Sequence, residues 1–254
     1  MVAQCLKMRP PEVKPDSVAQ VSILLPAHNE VDSIQGIVSE FYDEIARKIP
    51  VQIIVSEDGS TDGTKEALLE LSKKLPIKLI LGQERKGYMK GVKDGLRTAT
   101  SDFVFFSDSD GQHIPADFWK LYEKRNDYDL IIGKKIKRTD PPHRILISSV
   151  FHIMVRALFK LPIRDPDTAY RLIRREVIDD VADGAHILKY SFWTEFTVRA
   201  FKKGYRVAEV PVVHRGRLNG STRLYSGTKL FGIVLSQIVG LFKLSNELNG
   251  NTKH

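Results

Sequence analysis

Apolar residues in this chain come in short continuous runs. VSILLP (21–26), VQIIVS (51–56), IKLILG (77–82), FVFFS (103–107) and DLIIG (129–133) are each rich in branched or aromatic residues. Runs of that length read as strands covered on both faces. Between them the period lengthens to that of a helix, in VDSIQGIVSEFYDEIARKI, TDGTKEALLELSKKL and KGYMKGVKDGLRTA. In the second of these, Thr61 or Asp62 is suited to cap the helix, and Leu68, Leu69 and Leu71 are expected to face a core. Strand and helix alternating at this spacing specify an α/β fold, with a mainly parallel central sheet and helices on both faces.

The second half is less regular. An apolar helix with basic and polar interruptions is expected over 145–161, followed by RDPDTAYRLIRREV. FWTEFTVRAFKKG reads as a helix, YRVAEVPVV (205–213) as a strand and HRGRLNGSTRLYSGTK as a basic loop. A second apolar helix covers 230–244. Neither apolar helix reaches the roughly 18–20 uninterrupted apolar residues of a membrane span, so each is expected to lie in an interface or pack on the core. The division that follows is an irregular lead-in over 1–20, one domain over 21–225, and an amphipathic helix with its tail over 226–254. MVAQCLKMRPPEVKPD lacks the apolar stretch of a secretory signal.

Charge narrows the partners. With 39 Lys and Arg against 31 Asp and Glu, the net charge is +8, which suits an anionic partner: nucleic acid, an anionic membrane or a phosphorylated substrate. Cys5 is the one cysteine, so no internal disulfide is possible and a reducing compartment is expected.

In a parallel sheet, ligands bind beyond the carboxyl ends of the strands. The residues that follow the apolar runs are Pro26-Ala27-His28-Asn29-Glu30, Glu57-Asp58-Gly59-Ser60, Gln83-Glu84-Arg85-Lys86-Gly87, Asp108-Ser109-Asp110 and Lys134-Lys135. Asp108 and Asp110, one residue apart, repel each other unless a cation compensates them. Hard oxygen donors suit Mg²⁺ or Mn²⁺. An acidic turn is the simpler account of the pair alone; its place directly after a buried strand makes a cation site an equal alternative. EDGSTDGT is a turn and helix cap in which Asp58 can also accept hydrogen bonds from a base or ribose. Neither the phosphate-binding P-loop spacing nor the Gly-x-Gly-x-x-Gly dinucleotide fingerprint is present.

Taken in order, LLPAHNE, IIVSEDGSTDGT, the Lys86-Gly87 loop and FFSDSDGQHIP resemble the family 2 glycosyltransferases with the Rossmann-like A-type fold. Further on, IIGKK, PPHRILIS, DPDTAYRLIRREV, GYRVAEVPV and GRLNGSTR resemble the dolichol-phosphate mannosyltransferases and related polyprenyl-phosphate glycosyltransferases. The resemblance implies nucleotide-sugar contacts at Pro26, His28, Glu30, Asp58, Lys86, Asp108 and Gln112. It implies a metal and diphosphate set of Asp108, Asp110 and Gln112, and basic groups around an acceptor phosphate at Lys135, Arg144, Arg217 and Arg223. Asp108, Asp110, Arg144 and Arg217 become the catalytic set. The chain departs from the family pattern in having His28 for tyrosine, Glu57 for the first aspartate of a pair, Gly111 for leucine, Lys135 for arginine, Ala169 for glycine, and Thr222-Arg223 for Ser-Lys.

The function implied is metal-dependent, inverting transfer of a hexose from a nucleoside diphosphate sugar, GDP- or UDP-linked, to a polyprenyl or dolichyl phosphate. It would take place on the cytoplasmic face of a membrane, with the protein peripheral to it. The nearest alternative is a family 2 enzyme with a sugar hydroxyl acceptor, which needs a carboxylate base; Glu195 or Asp165 would be that base, although Glu195 is first expected to be an exposed helical acid. His113 and His214 are expected to be structural, and Phe192 and Trp193 to belong to the core. A sugar nucleotidyltransferase would carry a Gly-rich loop where PAHNE stands. A nucleic-acid-binding protein would account for the charge but not for acids gathered at strand ends, so no nucleic-acid partner is expected.

Overall fold

The structure is a computed structural model that describes residues 19–136, 142–216 and 227–250, without the side chains of His143, Arg144 and 227–231. Arg217 and Arg223, and the lead-in up to residue 18, lie outside the described residues, as does the side chain of Arg144.

The apolar runs become strands β1 (Val21–Ala27), β2 (Val51–Glu57), β3 (Ile77–Leu81), β4 (Phe103–Ser107) and β5 (Leu130–Ile136). Two more, β6 (Tyr170–Arg174) and β7 (Val207–Val213), complete a seven-stranded sheet of order β3-β2-β1-β4-β6-β5-β7. Every pairing is parallel except those of β6, which runs antiparallel to both β4 and β5. The sequence pattern did not predict β6. Its five residues carry two arginines, and Arg171 is fully buried, so the strand lacks the apolar run that marks the others. Lys134 and Lys135, expected to follow β5, are part of it.

The helices are α1 (Ile34–Phe41, continued by a π-helical turn over Tyr42–Ala46), α2 (Thr64–Ser72), α3 (Tyr88–Thr98), α4 (Phe118–Tyr122), α5 (Pro142–Phe159), α6 (Arg175–Val181), α7 (Phe192–Lys202) and α8 (Gly227–Gly250). They cover both faces of the sheet, and β1 shows why its run is continuous. Leu24 belongs to the core under α3, α5, α6, α7 and α8, while Ile23 and Leu25 belong to the core under α1, α2 and α4. Side chains alternate across a strand, so a strand buried on both faces must be apolar at every position. Leu68 and Leu71 of α2 are buried as expected, but Leu69 is exposed, since the helix offers the sheet only one stripe. The N-cap position of α2 is taken by Gly63 rather than by Thr61 or Asp62, while the Asp62 carboxylate, one residue earlier, accepts the Thr64 N–H at 3.0 Å.

Among the described residues, no helix is long and apolar enough to cross a membrane. On α5, Leu146, Val150 and Ile153 are exposed; on α8, Leu235, Val239 and Phe242 are exposed. Each trio has the four- and three-residue steps of one helical face.

Candidate active site

The strand order leaves β1 for β2 on one side and for β4 on the other. At such a switch point the connecting loops diverge and open a crevice beyond the strand ends. Here the crevice is a cleft of about 240 Å³, lined among others by Pro26, His28, Glu30, Asp58, Asp108 and Asp110. These six were expected from the sequence. Arg85, from the strand-end segment 83–87, lines it as well, and so does Tyr88, which was not expected.

Side-chain hydrogen bonds hold the loops to one another. The Asn29 N–H donates to Ser60 Oγ at 2.9 Å and the Glu30 N–H to Thr64 Oγ1 at 2.8 Å. The Thr61 N–H donates to Asn29 Oδ1 at 2.9 Å, with Asn29 itself at φ 54°, a left-handed conformation that asparagine tolerates. His28 Nδ1 donates to the Asp58 carbonyl at 2.9 Å, leaving Nε2 as the acceptor for Asn29 Nδ2 at 3.4 Å. Across the switch point, Ser109 Oγ donates to the Pro26 carbonyl and ties the end of β4 to the end of β1.

Asp58 anchors the third loop. Its two carboxylate oxygens accept the N–H groups of Lys86 and Gly87 at 2.7 and 2.9 Å. Lys86 therefore contributes its backbone to the site, whereas its ammonium pairs with Asp94 at 2.9 Å and is not part of the cleft lining. Glu57, in the family's aspartate position, has a fully buried side chain that accepts the Ser60 N–H and holds the turn.

At the end of β4, Asp108 is half-buried and accepts a hydrogen bond at 3.0 Å from the Tyr88 hydroxyl. Tyr88 in turn accepts one at 3.0 Å from the indole N–H of Trp193. Burial, and then repulsion from Asp110, pushes the Asp108 carboxyl up to about 7, while the Tyr88 hydrogen bond and the charge of Lys135 oppose the rise. Asp110 accepts the Gln112 N–H at 3.1 Å; the Gln112 side chain is not part of the cleft lining. Among the described residues no group of three or more His, Cys, Asp or Glu side chains converges as a metal site. Asp108 and Asp110 are two hard oxygen donors at one strand end, one of them costly to ionise without a cation, and that donor set fits Mg²⁺ or Mn²⁺ completed by substrate oxygens.

β6 brings in residues the sequence did not single out. Because β6 is antiparallel, its first residue, Tyr170, lies opposite Ser107, and the Asp108 N–H donates to the Ala169 carbonyl at 3.2 Å. The segment before β6 thus sits at the edge that carries Asp108. There Asp167 accepts hydrogen bonds from the Thr194 hydroxyl and N–H at 3.0 and 3.3 Å, and burial pushes its carboxyl up to about 6. Lys135 lowers the proton affinity of both Asp108 and Asp167, so the three form one electrostatic cluster. Arg171, buried beneath them, stacks on Trp193 with its guanidinium carbon 4.2 Å from the ring centre, and burial lowers it to about 10. The acidic DPD ahead of an unrecognised strand was the available signal for Asp167.

Glu195 is neither exposed nor in the cleft lining. Its side chain is fully buried; one oxygen accepts the His186 N–H at 3.0 Å and Arg199 Nε at 2.9 Å, the other the N–H groups of Ile187 and Leu188 at 2.7 and 2.6 Å. It closes the loop before α7 and holds no free edge for a substrate. His113 and His214 are buried and form an isolated bridge between their backbones, with His113 stacked on Tyr170 at 4.8 Å. Burial first, then Lys135 and His214, lowers the His113 pKa far below the usual range and keeps the ring neutral. Phe192 and Trp193 are core residues, as expected.

A mainly parallel sheet with an acidic cleft at its switch point is the architecture of the A-type glycosyltransferases. A family model for glycosyl transferase family 2 matches residues 22–182, and the chain belongs to that family. Among curated relatives, the dolichol-phosphate mannosyltransferase of Pyrococcus furiosus is 30% identical over 91% of this chain, which spans 66% of that protein. The polyprenol monophosphomannose synthase of Mycolicibacterium smegmatis is 29% identical, with 82% of each chain covered. The fold is shared with glucosyl-3-phosphoglycerate synthase from Mycobacterium tuberculosis, solved with Mn²⁺, UDP-glucose and phosphoglyceric acid. The TM-score is 0.71 at 16% identity, covering 90% of this chain and 80% of that one. The protein is a glycosyltransferase.

Proposed function

We propose that this glycosyltransferase moves a hexose from a nucleoside diphosphate sugar to a polyprenyl phosphate, with inversion at the anomeric carbon. The observation that carries the reading is the cluster at the switch point. Asp108 and Asp110 stand at one end of the cleft, Asp58 and Arg85 line it too, and Lys135 acts electrostatically on Asp108. The dolichol-phosphate and polyprenol named in two of its relatives support a lipid-phosphate acceptor.

Asp108 and Asp110 would hold Mg²⁺ or Mn²⁺, which would neutralise the charge growing on the leaving diphosphate. Asp58 and His28 keep the nucleotide side of the cleft in shape through the loops they bind. Lys135 offers an ammonium to the acceptor phosphate, and Arg144, Arg217 and Arg223 are proposed to join it. A phosphate monoester has a second pKa of about 6 and reaches neutral pH largely as a dianion. Such a nucleophile needs no strong general base, whereas a hydroxyl acceptor does. The full engagement of Glu195 removes one of the two carboxylates a hydroxyl-acceptor enzyme could use as a base, leaving Asp165 as the one to test.

The exposed apolar faces of α5 and α8 would rest on the cytoplasmic surface of a membrane, where a lipid phosphate is presented. The test is a panel of GDP- and UDP-sugars with a short polyprenyl phosphate and Mg²⁺ or Mn²⁺, following label into the organic phase and product stereochemistry by NMR. An inverted lipid-phosphate sugar is expected; retention, or transfer only to sugar hydroxyls, refutes the reading.

A further inference from the structure

Tyr88 opens α3, directly after Gly87, whose φ of 96° turns the chain into the cleft. Its neighbours on the sheet side are aromatic: Phe106 stands edge-on to its ring at 6.5 Å, and Trp193 donates to its oxygen at 3.0 Å. With the oxygen occupied as an acceptor, the hydroxyl proton is directed to Asp108 Oδ1, 3.0 Å away. The two bonds run in one direction, indole to phenol to carboxylate, and each polarises the next. Among the described residues Asp108 Oδ2 accepts no hydrogen bond, so the relay uses one oxygen and leaves the other.

A carboxylate at a strand end turns freely about its last bond. Here the indole that fixes the phenol is itself locked in the core, with Arg171 stacked on its face at 4.2 Å. The order is therefore transmitted from the buried side of the sheet to the carboxylate in the cleft. Partners of this kind, one bond removed from a metal-binding oxygen, set its orientation.

We propose that Tyr88 is a positioning residue for Asp108, fixing its carboxylate so that Oδ2 is presented to a divalent cation before any nucleotide sugar arrives. The inference rests on the reading that Asp108 holds the metal. Its test is Mn²⁺ binding alone, measured by electron paramagnetic resonance on the full chain for wild type, Tyr88→Phe and Asp108→Asn. Tyr88→Phe keeps the ring and its packing and deletes only the hydroxyl. It is expected to weaken Mn²⁺ binding roughly tenfold while the melting temperature stays close to wild type. In turnover, the KM for Mn²⁺ should rise by a similar factor, with kcat recovered at saturating metal. Wild-type Mn²⁺ affinity in Tyr88→Phe, alongside lost binding in Asp108→Asn, overturns the role of Tyr88 alone. Unchanged affinity in Asp108→Asn removes the metal reading and this inference with it. A kcat loss in Tyr88→Phe that saturating Mn²⁺ does not recover also overturns it, because a positioning role for the cation is then not what the hydroxyl does.

Discussion

Replacing Glu195 with glutamine is the substitution that best separates a structural acid from a catalytic one. The side chain keeps its size and loses its charge. In the native protein both oxygens are acceptors, facing three backbone N–H groups and Arg199 Nε at 2.6–3.0 Å. A glutamine amide must turn its NH₂ toward one of those sets of donors, so at least one N–H is buried without an acceptor. Each such loss costs about 1–3 kcal/mol. Arg199, itself nearly buried, loses one of its two anionic partners and keeps only Glu247 at 2.8 Å. Breaking a buried pair by removing one member costs about 3–5 kcal/mol. The terms overlap, and a net loss of about 4 kcal/mol is expected, out of roughly 5–15 kcal/mol for a whole protein. At about 2–4 °C per kcal/mol for a chain of this size, the melting temperature should fall by roughly 8–16 °C. The assay is thermal unfolding beside turnover at a temperature well below both melting points. Stability should fall while kcat in the folded fraction stays near wild type. A variant that melts within about 2 °C of wild type yet loses kcat a hundredfold would refute the reasoning and restore Glu195 as a base.

Two further outcomes follow from the site. Because the Asp108 carboxyl is raised from 3.8 to about 7, the folded state holds its proton more tightly than the unfolded state, so stability falls as pH rises from about 4 to 7. Asp108→Asn should flatten that slope and stabilise the protein by about 2–4 kcal/mol at pH 8, in urea melts at pH 5 and 8, while abolishing turnover; identical slopes would count against the raised carboxyl. Gly59→Ala places a side chain at φ 62°, where a Cβ would meet the backbone of Glu84 and Arg85. A loss of about 3 kcal/mol is expected from the left-handed strain plus the clash, visible in the same melts, and wild-type stability would mean the loops are not packed as described.

Much of the cleft was legible because its residues follow strands that announce themselves. Asp58 and Asp108 come directly after apolar runs, and a parallel sheet brings such ends to one edge whatever the helices do between them. Tyr88, Asp167 and Arg171 gave no comparable signal. Tyr88 reaches Asp108 only because α3 packs back over β1, and Asp167 only because β6 inserts antiparallel between β4 and β5. Lys86 was foreseen by position alone, and only the tertiary structure pairs its ammonium with Asp94.

The sequence by itself determined the α/β class, the first five strands and the acidic edge, since these depend on local periodicity and on the direction of parallel strands. Only the tertiary structure decided what each polar group does there. Glu195 and Asp108 are both carboxylates beside apolar residues in the chain, yet one spends both oxygens on backbone N–H groups and the other keeps one for the cleft. Which hydrogen-bond partners surround a buried charge is set by residues distant in sequence, and that environment, not the residue type, fixes whether the charge holds the fold together or meets a ligand.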